Sequence, residues 1–196
     1  MNAVQIDLGF DESEREGIGA LYWEAFRRKL RPAFGDDAVG LRVIRAAMRS
    51  DRMLVARSEG GVVGVCGFHA DGTGAVELSM KSLRSHLSIG GALRAALVLS
   101  VLAREEHPGS LVLDGICVDA DQRGAGIGTS LLDVAERLAR NRGATSVRLS
   151  VVDSNPRARA LYMRRGFVPI ESGALGLLGF VYGFDRYTVL TKELSS

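Results

Sequence analysis

The stretch Leu111–Leu132, LVLDGICVDADQRGAGIGTSLL, decides how the rest of the chain is read. Its first eight residues are almost continuously apolar, as in a strand buried on both faces. A short polar turn and a glycine cluster follow, Arg123-Gly124-Ala125-Gly126-Ile127-Gly128, and then the start of a helix. A strand, a glycine-rich turn and a helix together offer main-chain N–H groups to an anion, because the first turn of a helix has N–H groups without intrahelical partners and carries partial positive charge. Gly124, Gly126 and Gly128 have no Cβ, so oxygens can come close to the main chain. Arg123 adds a fixed charge, and Thr129 and Ser130 bring hydroxyls to the first turn. A pyrophosphate fits such a site. A Walker A loop needs Gly-Lys-Ser/Thr after its glycines, and there is no lysine here. The G-x-G-x-G spacing also departs from the dinucleotide fingerprint G-x-G-x-x-G.

Outward from that stretch, the pattern is a mixed α/β sheet in one domain over residues 1–196. Val4 to Leu8 alternates as a half-buried strand. Apolar residues from Ile18 to Leu30 recur at helical spacing, and Pro32 and Gly35 are expected to end that helix. Asp36 or Asp37 can cap a second helix carrying Val43, Ile44, Ala47 and Met48. Met53–Arg57 and Val62–His69 form a hairpin about Glu59-Gly60-Gly61. Ala75–Met80 is expected to be another strand, bearing Glu77. Ile89–Glu105 reads as a helix, with Gly90-Gly91 weakening its start. The strongest helical pattern spans Ile127–Arg142 and ends at Gly143. Thr145–Val151 is a strand. Asn155-Pro156 opens a helix, with Asn as cap and Pro tolerated at the first position, and Gly166 closes it. Phe167–Ile170 is a strand, Ser172–Gly183 a glycine-rich apolar loop, and Phe184–Lys192 the last strand.

Composition bounds the partners. The 196 residues carry a formal net charge of +2 with both signs interspersed, which argues against nucleic acid and membrane surfaces as partners. The most apolar stretch, Leu87–Ala103, is short for a membrane span and holds Arg94. Cys66 and Cys117 lie in apolar runs and have no metal-ligand spacing around them, so neither a disulfide framework nor a metal site is expected. With no signal-peptide pattern at the N-terminus, a cytoplasmic location is expected.

A second stretch joins the first at a fixed distance: Asn155-Pro156-Arg157-Ala158-Arg159-Ala160-Leu161-Tyr162-Met163-Arg164-Arg165-Gly166-Phe167. Together the two resemble the GNAT superfamily of acyl-CoA-dependent N-acetyltransferases. Arg123, Gly126 and Gly128 match its R/Q-x-x-G-x-G/A signature. Asn155, Ala158, Leu161, Tyr162, Gly166 and Phe167 match N-x-x-A-x-x-L-Y-x-x-x-G-F. The close resemblance covers about residues 110–170.

The resemblance implies a mostly antiparallel mixed sheet flanked by helices and splayed at its central strands. It implies acetyl-CoA as cosubstrate, held along Ile116, Cys117 and Val118 and by Arg123, Gly124, Ala125, Gly126, Ile127, Gly128, Thr129 and Asn155. It implies acetyl transfer to a primary amine of a small molecule or peptide, with Tyr162 returning a proton to the departing thiolate. The general base is open between Asp114, Glu77 and water. An Asp inside an apolar strand needs a partner or a task. Cys117 has opposite strand parity to Asp114 and reads as core, and His69, at a strand end, is open to two readings, facing the acceptor cleft or lying at the surface, with the surface preferred. The acceptor is expected between Lys29–Asp37 and Ser172–Gly183. The latter loop is open to three uses: lining a pocket, gating the cleft or making a homodimer contact. A non-catalytic acyl-CoA sensor on the same fold is the alternative to an enzyme.

Overall fold

The computed structural model describes residues 4–102 and 106–194. In chain order the elements are β1 (Gln5–Leu8), α1 (Arg15–Phe34), α2 (Asp37–Ala47), β2 (Met53–Ser58), β3 (Gly61–His69), α3 (Met80–His86), α4 (Ile89–Ser100), β4 (Ser110–Val118), α5 (Ile127–Asn141), β5 (Ser146–Val152), α6 (Pro156–Arg164), β6 (Val168–Ala174), α7 (Gly179–Tyr182) and β7 (Arg186–Glu193). Helix starts follow local hydrogen bonding. Asp36 accepts from the Val39 N–H, Ser79 from Ser82, Ser88 from Gly91 and Asn155 from Ala158. Gly90 and Gly91 therefore fall in the first turn of α4, where Ser88 caps.

Pro32 does not end α1. The helix continues to Phe34 and stops at Gly35, whose φ of +77° closes it through an N–H bond to Arg31 O. Ala75–Met80 is not a strand of the sheet. Its main chain bonds instead to the link after α2, with Arg49 N–H on Ala75 O and Glu77 N–H on Ala47 O, both at 2.9 Å, and Ser79 then caps α3. Of the expected helix Ile89–Glu105, α4 accounts for Ile89–Ser100, and residues 103–105 lie outside the described residues. The apolar stretch Ser172–Gly183 is not a plain loop: β6 extends to Ala174 and α7 forms within it.

The sheet runs β1-β2-β3-β4-β5-β7-β6. Neighbours are antiparallel except β4 and β5, which pair in parallel only from Ser110–Val112 to Ser146–Arg148. Beyond Val112 the two strands part. Two cores clamp the sheet from opposite faces. Leu54, Cys66, Phe68, Leu113, Leu131, Leu132 and Phe167 form one under α5 and α6. Ile18, Trp23, Val43, Ile44, Met53, Val65 and Leu83 form the other under the N-terminal helices. Each fully buried Leu, Ile or Phe adds about 1.5–3 kcal/mol, enough to hold the central strands while they diverge at one end.

Candidate active site

The divergence of β4 and β5 opens a cavity of about 870 Å³. Asp114, Gly115 and Ile116 of β4 form one wall, Leu149–Val152 of β5 another, and Tyr162 of α6 with Asn155, the residue that caps it, a third. Phe26 and Lys29 of α1 and Tyr182 of α7 close the remaining side. Parting leaves one edge of β4 without a partner strand. Asp119 N–H bonds to Val63 O on β3 at 2.9 Å. By the alternation of an antiparallel ladder, Cys117 also turns its main chain to β3, while Ile116 and Val118 turn theirs to the open edge. The Cys117 side chain is buried among the N-terminal helices, and burial pushes its thiol up to about 12. Burial likewise raises Cys66 far above the ordinary range. Neither thiol is a nucleophile at neutral pH.

The glycine turn follows directly. Asp119 accepts from the Asp121 N–H at 2.9 Å, and a single 3-10 turn over Ala120–Gln122 leads to Arg123. Gly124 and Gly126 have φ of +93° and +83°, a region only glycine enters freely, and a Cβ on either would meet nothing within 4 Å. Arg123, Gly124, Ala125 and Gly126 are exposed, whereas the Ile127 side chain is buried and pins α5. Ser130 N–H is the first to bond back, to Gly126 O at 3.0 Å. The N–H groups of Ile127, Gly128 and Thr129 therefore precede the helical ladder. This arrangement can hold a pyrophosphate, with Arg123 beside it. Asn155 uses its side-chain oxygen to cap α6, at 3.1 Å from Ala158 N, at the edge of the cavity.

Asp114 owes its position to a β-bulge. Gly67 opposes Gly115 and Phe68 opposes Leu113, so Asp114 is the extra residue on β4. The bulge resets the alternation: Leu113 and Ile116 both face the α5 side, and Asp114 and Cys117 share the opposite face. The expected opposite parity of Asp114 and Cys117 thus fails. The Asp114 side chain, only 10% exposed, accepts from the Ala75 N–H at 2.8 Å and pairs with His69 Nε2.

His69 is therefore no surface residue. It lines the cavity beside Asp114. Its position on β3, two residues after Gly67 and four after Val65, was the available signal. Glu77 is turned away, in an ion pair with Arg49 at 3.0 Å, and only its neighbours Val76 and Leu78 reach the cavity. Asp36 is spent as a cap and Asp37 pairs with Arg31 at 3.4 Å. Tyr162, nearly buried, sets its ring 6.0 Å from that of Phe167 and lines the cavity. Tyr182 was not singled out in the sequence. Its hydroxyl donates to Val98 O at 2.6 Å, fastening α7 to α4 over the cavity. No group of His, Cys, Asp and Glu suited to a metal ion occurs among the described residues.

Solved structures with this fold are numerous. A mycothiol acetyltransferase of Beutenbergia cavernae is 40% identical over 80 residues, which is 41% of this chain and 26% of that relative. The chain thus spans about a quarter of the length of the curated relative it matches. A solved acetyltransferase superposes with a TM-score of 0.64 at 21% identity, over 97% of this chain and 100% of the other. A Salmonella typhimurium protein described as an acetyltransferase and solved with its cofactor acetyl-CoA gives 0.59 at 16% identity, over 100% and 96%. The ribosomal-protein-S18-alanine N-acetyltransferase of Escherichia coli gives 0.56 at 14%, over 99% and 96%. The family model for the acetyltransferase (GNAT) family matches residues 15–167, most of the fold just described, and the chain belongs to that family.

Proposed function

We propose that the chain is an N-acetyltransferase, moving the acetyl group of acetyl-CoA to a primary amine of a small molecule or peptide by direct attack in a ternary complex. The observation that carries this is the cavity where β4 and β5 part, with the open glycine turn following β4 and Tyr162 and Asp114 on its walls. Arg123 and the N–H groups of Ile127, Gly128 and Thr129 hold the pyrophosphate. The free edge of β4 at Ile116 and Val118 takes the amides of the pantetheine arm and places a donor near the thioester oxygen, where charge develops. Tyr162 gives a proton to the departing thiolate. The carboxylate of Asp114 favours removal of a proton from the attacking amine, without which the nitrogen has no lone pair.

The test is an acetyl-CoA titration followed by release of free CoA against a panel of primary amines. Turnover on any amine supports the reading. Tight acetyl-CoA binding with no turnover on the whole panel would replace it with an acyl-CoA sensor. Failure to bind acetyl-CoA would reject both.

A further inference from the structure

We propose that His69 is the residue that takes the proton from the acceptor amine, and that Asp114 is a positioning residue acting through it. This rests on the N-acetyltransferase reading above. Val65, Gly67 and His69 alternate onto one face of β3, and the bulge turns Asp114 to the same face. Both oxygens of Asp114 are then occupied, Oδ1 by His69 Nε2 and Oδ2 by the Ala75 N–H at 2.8 Å. Asp114 is 10% exposed and engaged on both oxygens, whereas the His69 ring, beside it on the cavity wall, is 18% exposed.

An imidazole that donates from Nε2 to a carboxylate carries its lone pair on Nδ1. Nδ1 of His69 has no hydrogen-bond partner among the described residues, and the ring lines the cavity. Small residues make room for the pair. A Cβ on Gly74 would lie 2.8 Å from His69 Cε1 and 2.9 Å from Asp114 Oδ2, and one on Gly67 would press on Asp114 Cβ at 3.3 Å. The carboxylate fixes the ring's tautomer and stabilises the imidazolium that forms, as in other base–carboxylate pairs.

Protons balance as follows. A bound ammonium gives one proton to His69 Nδ1. The neutral nitrogen attacks the thioester carbon, the C–N bond forms, and the C–S bond breaks. The thiolate takes a proton from Tyr162. The nitrogen sheds its second proton, which restores Tyr162 through water, and His69 returns its own proton to solvent.

Besides the phenols of Tyr22, Tyr162, Tyr182 and Tyr187, the other charged or titratable groups on the cavity wall are His107 before β4, Arg28 and Lys29 on α1, Arg148 on β5 and Glu171 on β6. The experiment compares His69→Gln, Asp114→Asn and the double variant across pH 6–10, using the best acceptor from the amine panel. His69→Gln is expected to lower kcat about a hundredfold near neutral pH with acetyl-CoA affinity unchanged, the usual scale of a lost general base. That loss shrinks to a few-fold once the pH passes the amine's own pKa, because solvent then supplies the neutral amine. Asp114→Asn is expected to add little in the His69→Gln background. His69→Ala, which leaves space for free imidazole, is expected to regain activity when imidazole is added. Wild-type kcat in His69→Gln, or an undiminished effect of Asp114→Asn in that background, would overturn the proposal while leaving acetyl transfer intact. Absence of turnover by the unaltered protein on every amine would instead overturn the underlying reading and this proposal together.

Discussion

Gly128 on α5 and Leu161 on α6 approach so closely that a Cβ on Gly128 would stand 3.2 Å from Leu161 Cδ2. The two stretches that carry the family resemblance are thus packed against each other. Gly128 lies in the first turn of α5, among the N–H groups of the anion site, and Leu161 is the residue before Tyr162. One contact therefore ties the start of α5, the proposed phosphate site, to the placement of the tyrosine. The glycines of the turn also do different work. Gly124 and Gly126 supply left-handed backbone in open space, and Gly128 permits helix packing.

That difference makes Gly126→Glu a clean test of the anion site. A Cβ there meets nothing within 4 Å, so the fold pays only the strain of a left-handed residue, about 1–2 kcal/mol. The introduced carboxylate stands at the start of α5, where an anion is to be held. Acetyl-CoA affinity is expected to fall at least a hundredfold, roughly 2.7 kcal/mol, while the melting temperature drops by only several degrees. Calorimetric titration and a thermal melt read the two effects. Normal binding would show that the pyrophosphate lies elsewhere.

Tyr162→Phe separates packing from chemistry. The ring stays against Phe167, so stability should change by less than about 1 kcal/mol, the net worth of one ordinary hydrogen bond. Acetyl-CoA affinity should hold, whereas kcat should fall about a hundredfold for loss of a general acid. Steady-state kinetics with thiol detection gives the answer, and an unchanged kcat would reduce Tyr162 to a packing residue.

Periodicity revealed the elements that bury an apolar stripe, such as α5 with Leu131, Leu132, Ala135 and Ala139 inward. Glycine spacing revealed the turn after β4, because left-handed backbone restricts residue choice. The bulge at Asp114 was hidden. One extra residue in a strand has no compositional mark, yet it inverts the face of everything beyond it. His69 was misread for the same reason. Its partner is 45 positions away in the chain, and only the folded register brings them together. Glu77 differs: it was a candidate as an acid on an expected strand next to that of Asp114, but no strand forms there and Arg49, 28 positions away, takes it up.

Gly40→Ala should run against helix propensity. Alanine in place of a helical glycine ordinarily adds about 1 kcal/mol of stability. Here Gly40 of α2 is buried against the indole of Trp23 on α1, and a Cβ would overlap that ring. Trp23 is itself enclosed, 6% exposed, and tilted against Phe34 at 6.1 Å, so it has little room to retreat. Overpacking of about 1–3 kcal/mol outweighs the propensity gain. A lower urea midpoint is expected, and a higher one would mean that α1 and α2 slide apart at little cost.

Acid should weaken the attachment of β2 to the start of α1 through one carboxylate. Glu14 receives two hydrogen bonds from Arg57, at 2.7 and 2.8 Å, and one from the Asp11 N–H at 2.9 Å. The Arg57 guanidinium lowers its pKa from 4.5 to about 2, against the smaller effect of burial. A carboxyl with a depressed folded pKa lends stability that is fully present above its unfolded value. That stability is lost as pH falls from about 4.5 through about 2. Both side chains remain about a quarter exposed, so screening reduces the contribution to roughly 1–2 kcal/mol. Glu14→Gln should therefore be less stable than the unaltered protein at pH 7 by that amount, and the two should converge toward pH 2. Urea unfolding at stepped pH measures the gap. A gap that stays constant from pH 7 to 2 would mean that the Glu14 side chain contributes through its shape and not its charge.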